Sequence, residues 1–272
     1  MLKSVTYVIK ENLTNLYRIF SIAKYELLAD IRDSKFGLFW NFASPTIQVL
    51  TYWLVFGVGF GKKPVDGIAY LPWVVVGFAA WWFISPCITQ GCKAIFSKIN
   101  VITKMKFPIS VLPATVCLRE FFNHLCMLVI MFITLLCCGY FPDFYWLGLL
   151  YYAACAFLLV ESLAMITSVL TMIWRDVHKL VTSIMRMIMY FSPVIWEATF
   201  KSTVPFHNIL NIIIKLNPVY YVVQGYRDVI FYDKTIFAHP VMSLYFWLVI
   251  IFMFTLGSCL MYHFKRKMID MI

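Results

Sequence analysis

The sequence predicts an all-α protein that crosses a membrane six times, with an amphipathic helix ahead of the first span and two short re-entrant helices before the last. Three observations carry this reading. Hydrophobic residues make up 62% of the 272, aromatic residues 18% and charged residues only 13%, where a soluble domain has about 25% charged. Apolar windows run over Gly37–Phe60, Ile68–Gln90, Ile109–Cys138, Phe144–Trp174, Leu180–Thr199 and Val241–Phe264; about 20 such residues cross a hydrocarbon core of about 30 Å. Lys and Arg fall unevenly between the loops, fifteen on the side of the two chain ends and six on the other. Helices are expected because an open strand in lipid would leave its backbone groups unpaired.

The N-terminal arm, residues 1–36, precedes the membrane domain of 37–264, and a short tail occupies 265–272. Within the arm, Leu13, Leu16, Tyr17, Phe20, Ala23, Leu27 and Leu28 recur at helical spacing, with Arg18, Lys24, Glu26 and Asp30 between them. That pattern predicts a helix lying in the membrane interface; a helix packed on another subunit is the alternative. No basic segment followed by a short apolar core opens the chain, so no cleaved leader is expected. Cytoplasmic loops carry the excess of Lys and Arg, which puts both termini in the cytoplasm. The formal charge of +10 is then a signal of topology and of attraction to anionic lipid, not of nucleic-acid binding.

Span one contains Pro45, which removes a helical hydrogen bond and predicts a kink. GFGKKPVDG follows as a tight outer loop. Its GKK lacks the spacing of a phosphate-binding loop, and no other stretch supplies it, so ATP hydrolysis by this chain is not expected. Between spans two and three, KAIFSKINVITKMKFP places Ile95, Ile99 and Ile102 on one stripe and leaves Lys98, Asn100, Thr103, Lys104 and Lys106 polar, with Pro108 stopping the helix. WRDVHKL, Trp174 to Leu180, is a second cytoplasmic loop. After span five, FHNILNIIIKL and VYYVVQGYRDVIF are each too short to cross a bilayer and are separated by Asn217-Pro218. They predict two helices dipping into the outer leaflet, with Tyr220, Tyr221, Tyr226, Phe231 and Tyr232 at headgroup level; a structured cap outside the membrane is the alternative. The eight cysteines form no redox or zinc spacing and read as small buried hydrophobes.

Ionisable residues inside spans are functional candidates by default. They are Arg119, Glu120 and His124 in span three, Glu161 in span four and Arg186 in span five. At about 1.5 Å per residue, Arg119, Glu161 and Arg186 lie roughly 18, 20 and 10 Å from the cytoplasmic ends. Neighbours in sequence, Arg119 and Glu120 are expected on different sides of their helix, unable to serve one partner. One reading pairs Arg119 or Arg186 with Glu161 across helices. The other turns an arginine toward an anionic headgroup, since guanidinium matches phosphate bidentately. No catalytic constellation is present.

FGLFWNFASP, SKINVITKMKFPISVLP, RDVHKLV, SPVIWE and LNPVYYVVQGYRD together resemble the permease subunits of type-2 ABC exporters of bacterial surface polysaccharides, over essentially the whole chain and in order. Within that family, GKKPVDG, SKINVITKMKFPISVLP and LNPVYYVVQGYRD look most like teichoic acid translocation permeases of Gram-positive bacteria, with O-antigen and capsule exporters sharing the layout. The resemblance implies a permease homodimer in the plasma membrane, paired with two copies of a separate ATPase that holds ATP and Mg. It implies a substrate polymer on an undecaprenyl-pyrophosphate-type lipid, moved from the cytoplasmic to the outer leaflet. It makes 94–107 a coupling helix, with Phe96, Lys98, Ile99, Asn100, Thr103 and Lys104 facing the ATPase and Arg175, Asp176 and Lys179 as a lesser contact. The re-entrant pair then occupies 198–240. Arg119, Glu120, Glu161 and Arg186 stay pathway or pairing candidates from the sequence itself. A gradient-driven lipid flippase relaying protons through Glu161, Glu120 and His124, a membrane enzyme acting on lipid-linked glycans and a small-drug exporter are the rival readings.

Overall fold

A computed structural model of the chain describes residues 2–102, 107–197 and 205–270, the side chains of 101, 205–208 and 266–270 excepted. Its order is α1 (Leu2–Thr14), α2 (Leu16–Arg32), α3 (Phe39–Tyr52) continued by a π-helical stretch Trp53–Gly59, and α4 (Tyr70–Gly91). A 3₁₀ turn Phe96–Lys98 leads into α5 (Ile99–Ile102), then come α6 (Val111–Cys137), a 3₁₀ turn Phe144–Leu147 and α7 (Gly148–Ile173). The chain ends with α8 (Val177–Phe191), α9 (Pro205–Leu216), α10 (Pro218–Phe231) and α11 (Pro240–Asp270). Among the described residues no strand forms beyond one isolated bridge, Val65 to Ile68, which closes the tight loop expected from GKKPVDG. Asp66 and Gly67 turn it with φ of 50° and 84°.

Among the described residues five helices are long and apolar enough to cross a membrane: Phe39–Gly59, Tyr70–Gly91, Val111–Cys137, Phe144–Ile173 and Pro240–Lys265. The window Leu180–Thr199 departs from expectation. Its helix, α8, starts earlier and stops at Phe191 after 15 residues, a length of about 22 Å. Ser192 is extended, with ψ of 154°, because the residue before a proline is pushed out of the helical region and Pro193 follows. The helix of span one continues through Pro45. The last helix continues past Phe264 to Asp270, through most of the expected tail.

α4 forms the centre. Residues from Trp73 to Ile84 are buried nearly all round, the mark of a helix enclosed by others, and α6, α7 and α10 surround it. Phe83 of α4 stacks on His124 of α6 at 5.1 Å and on Phe157 of α7 at 6.3 Å between ring centroids. The outer helices keep one apolar face open, Leu125, Val129, Ile133 and Leu136 on α6 and Leu244, Leu248 and Ile251 on α11. Such stripes suit lipid chains, which ask for no polar partner. α7 and α11 run in the same direction: Trp247 donates to Tyr151 Oη at 3.0 Å near their starts, and Gly257 lies against Met165 and Ser162 toward their ends. α8 leaves the end of α7 and its following turn reaches the start of α4, where Tyr70 Oη and Lys62 Nζ donate to Ile195 O at 2.7 and 3.0 Å.

Arg227 of α10 fastens that turn. Its side chain is 1% exposed. It donates to the carbonyls of Trp73 (3.3 Å), Val194 (3.1 Å) and Pro193, and its guanidinium lies over the Trp73 ring at 3.4 Å. Burial, reinforced by the charge of Arg227 close by, holds the Lys62 ammonium below its ordinary value. Gly77 makes room: a Cβ there would overlap the guanidinium and sit 2.7 Å from Val194 O. α10 is thereby drawn into the bundle, which corrects the expectation for its aromatics. Tyr220, Tyr221 and Tyr226 are buried at 8%, 6% and 0% exposure, and Tyr226 Oη meets His124 Nε2 at 3.1 Å. They are core residues, not headgroup anchors.

The N-terminal arm is two helices broken at Asn15. α2 packs on α6 through Ile19, Val111 and Ala114, while Leu16, Tyr17, Phe20 and Tyr25 stay exposed. α1 packs on the end of α11. There Glu11 accepts from Lys265 Nζ at 2.7 Å, from Ser110 Oγ at 2.5 Å and from Tyr7.

Two outcomes follow from these contacts. Gly77→Ala is expected to lower stability by about 1–3 kcal/mol, the usual penalty of overpacking, read as a lower melting temperature in detergent. For Glu11, burial raises the carboxyl, but hydrogen bonds from Lys265, Ser110 and Tyr7 outweigh it and leave the group below 4.5. The α1–α11 clasp is therefore at full strength above pH 4.5 and weakens as pH falls through the lower folded value. Amide protection factors of α1, corrected for intrinsic exchange, are expected to fall with acid in the wild type and to be low and flat in Glu11→Ala.

Candidate functional site

The loop between α4 and α6 is held from beneath by apolar contacts. Ala94, Ile95 and Ile102 are buried with Ile109, Leu112, Met165, Val169, Val8 and Met261. Of the stripe read from the sequence, Ile95 and Ile102 thus face inward and Ile99 is half-buried, while Phe96, Ser97 and Asn100 are exposed. The loop between α4 and α6 meets the loop between α7 and α8: the Arg175 guanidinium lies 5.2 Å from the centre of the Phe96 ring. Phe96 is 38% exposed and Arg175 is exposed, so together they present one surface. Lys179 pairs with Asp176 at 3.0 Å, both side chains more than 80% exposed. An ion pair so exposed contributes little to stability. Thr103 and Lys104, expected on the same surface, lie outside the described residues.

Lys98 turns the other way. It pairs with Glu26 of α2, whose second oxygen is 3.7 Å from Arg119. Asp30 is 3.9 Å from the same guanidinium. Arg119 donates to Glu120 Oε1 at 2.7 and 3.1 Å, Asn123 donates to Glu120 Oε2 at 3.0 Å, and Asn41 of α3 donates to Asn123 Oδ1 at 3.1 Å. A continuous chain of polar contacts thus runs from the outward loop, through the N-terminal arm, to the first span.

Arg119 and Glu120 pair with each other, the long guanidinium arm folding back along the helix, while Arg119 otherwise faces Glu26 and Asp30 and Glu120 accepts from Asn123. The expected pairing of an arginine with Glu161 is not what forms. Arg119 is surrounded by three carboxylates, and Arg186 is exposed with Ser183 Oγ at 3.4 Å. Glu161 is 7% exposed, close to Cys117, and its Oε2 has no hydrogen-bond partner among the described residues. Sequence reasoning missed Arg227 and Asp228 as buried charges, having placed both in a loop-side re-entrant segment. Their signal was present in GYRDVIF, a charged pair inside an apolar run.

Several apolar helices long enough to cross a membrane, packed around the buried α4, define a polytopic helical membrane protein. The ABC-2 type transporter model matches residues 17–231, and the chain belongs to that family. It is 26% identical over 228 residues to the O-antigen export system permease protein RfbA of Myxococcus xanthus, covering 83% of this chain and 85% of that protein. To an RfbA of Klebsiella pneumoniae it is 22% identical, covering 83% and 84%. The chain is therefore a membrane transporter subunit, of a family whose members normally pair with an ABC ATPase subunit.

Breaking the half-buried Arg119–Glu120 pair from one side leaves the other charge unpaired. Arg119→Met alone is expected to cost about 1–3 kcal/mol of stability, and Arg119→Met with Glu120→Met to recover most of it. A double variant as unstable as the single one would contradict the pairing role.

Proposed function

We propose that this chain is the membrane subunit of an ABC exporter that moves a bacterial surface polysaccharide of the O-antigen kind. The observation that carries the reading is its similarity, over more than four fifths of its length, to permeases named for O-antigen export. That similarity favours O-antigen over the teichoic acid suggested by the loop sequences. A charged, hydrophilic polymer cannot cross about 30 Å of hydrocarbon unaided, so the bundle supplies a lined path.

In this reading the composite surface of Phe96, Asn100 and Arg175 docks an ATPase, and two permeases with two ATPases make the working complex in the plasma membrane. The substrate enters on a lipid carrier from the cytoplasmic leaflet. The ATPase rather than this chain binds ATP and Mg. Movement of the motor is passed as a rigid-body shift through Lys98, Glu26, Arg119, Glu120 and Asn123 to the first span. The parallel course of α7 and α11 calls for one further crossing between them, which α8 and the turn Ser192–Ile195 supply. That gives six crossings, and with the clasped ends of α1 and α11 it supports both termini in the cytoplasm. α9 and α10 return partway from the outer side.

Export of polymer and ATPase activity of the permease purified with its ATPase test this. Phe96→Ala and Lys98→Glu are expected to leave the complex assembled while lowering export about tenfold or more for the same hydrolysis. A chain that binds no ATPase, or whose export follows an ion gradient and not ATP, would sink the proposal.

A further inference from the structure

At the end of the bundle opposite Phe96, a cavity of about 230 Å³ opens between α7, α9, α10 and the start of α11. Tyr152, Tyr220 and Tyr221 contribute rings to its wall, and Gln224, Asp228 and Lys215 contribute polar atoms. Gly225 lies in the same wall, and a Cβ there would overlap the Tyr152 ring; only a bare backbone lets the ring come this close to α10. Asp228 is 2% exposed. Its Oδ1 accepts from Lys234 at 3.0 Å and Gln224 at 3.2 Å, and its Oδ2 lies 3.1 Å from His239 Nε2. The arrangement holds the carboxylate in one orientation at the cavity wall.

We propose that this cavity binds one neutral sugar unit of a glycan. Ring walls accept the C–H faces of a pyranose. Hydroxyl groups both donate and accept, so they need a wall that offers a carboxylate and an amide oxygen beside ammonium and amide N–H donors. Lys234 and His239 answer the charge of Asp228 within the wall, so the wall offers hydrogen bonds without calling for a charged ligand, and inorganic phosphate is the competitor against which this is judged. The volume lies below the roughly 300–1,000 Å³ of sites for drug-sized ligands, which fits a single ring. None of the elements forming the cavity belongs to the Phe96 surface, so the site stands apart from motor docking. Its assignment to a glycan rests on the export reading.

The test uses the permease–ATPase complex in lipid nanodiscs and saturation-transfer NMR with the methyl glycosides of glucose, galactose, mannose, rhamnose and N-acetylglucosamine. At least one is expected to bind saturably through its ring C–H protons. Gln224→Ala and Asp228→Asn are expected to weaken that binding about tenfold, and Lys215→Ala, at an exposed edge where folding is not at stake, to weaken it by a smaller factor. No saturable binding of any glycoside, binding unchanged in all three variants, or displacement by inorganic phosphate at equal concentration would overturn the proposal. The export assay separates the two readings: export without glycoside binding removes the cavity's role alone, and glycoside binding without ATP-driven export removes the exporter alone.

Discussion

A guanidinium sealed among backbone carbonyls is an expensive group to place inside a membrane protein, and Arg227 is stable there only because three carbonyls and an indole face receive it. Backbone carbonyls are normally consumed by helices, so such a set exists only where helices stop or turn. Ser192-Pro193 ends α8 at the required level and frees Pro193 O and Val194 O. The same fastening draws α10 inward, and with it Tyr226 onto His124 and Asp228 into its ring of donors. This end of the bundle is thus organised around one side chain and the helix end that feeds it.

The opposite end is held differently. There the apolar underside of the loop, Ile95 and Ile102 on Met165, Val169 and Met261, fixes position, and a row of partly buried charges fixes direction. Each pair is individually modest. Joined end to end from Lys98 to Asn41, they make any displacement of the loop felt at α3, because no member can shift without leaving a neighbour unpaired in a poorly solvated place. A loop that only marked topology would need neither the apolar seat nor the chain of partners.

What the sequence revealed and what it hid divide along the range of the interactions. Five of the six apolar windows correspond to spans because hydropathy is a local quantity, and Asn217-Pro218 separates α9 from α10 because cap and proline act on adjacent residues. The inward placing of Ile95 and Ile102 was legible for the same reason. α8 was overextended because Trp196 and Ile195 read as apolar whether in a helix or in a turn seated on Tyr70. The partners of Arg119 were out of reach, since Glu26 lies 93 positions away and the return to Glu120 depends on a side-chain torsion. The burial of Arg227 needed knowledge of a carbonyl set built by two other segments. The meeting of Phe96 with Arg175 was legible only as two separate loops on one side.

The clasp of Tyr7 and Glu11 with Lys265 joins two helices made 254 residues apart. During synthesis α1 emerges well before α11, and its carboxylate can gain Ser110 once α6 is placed, but the ammonium that completes the set arrives only with α11. Until then α1 has nothing to close upon. Closure of α1 is in this sense a record that α11 has been made and inserted as far as Lys265.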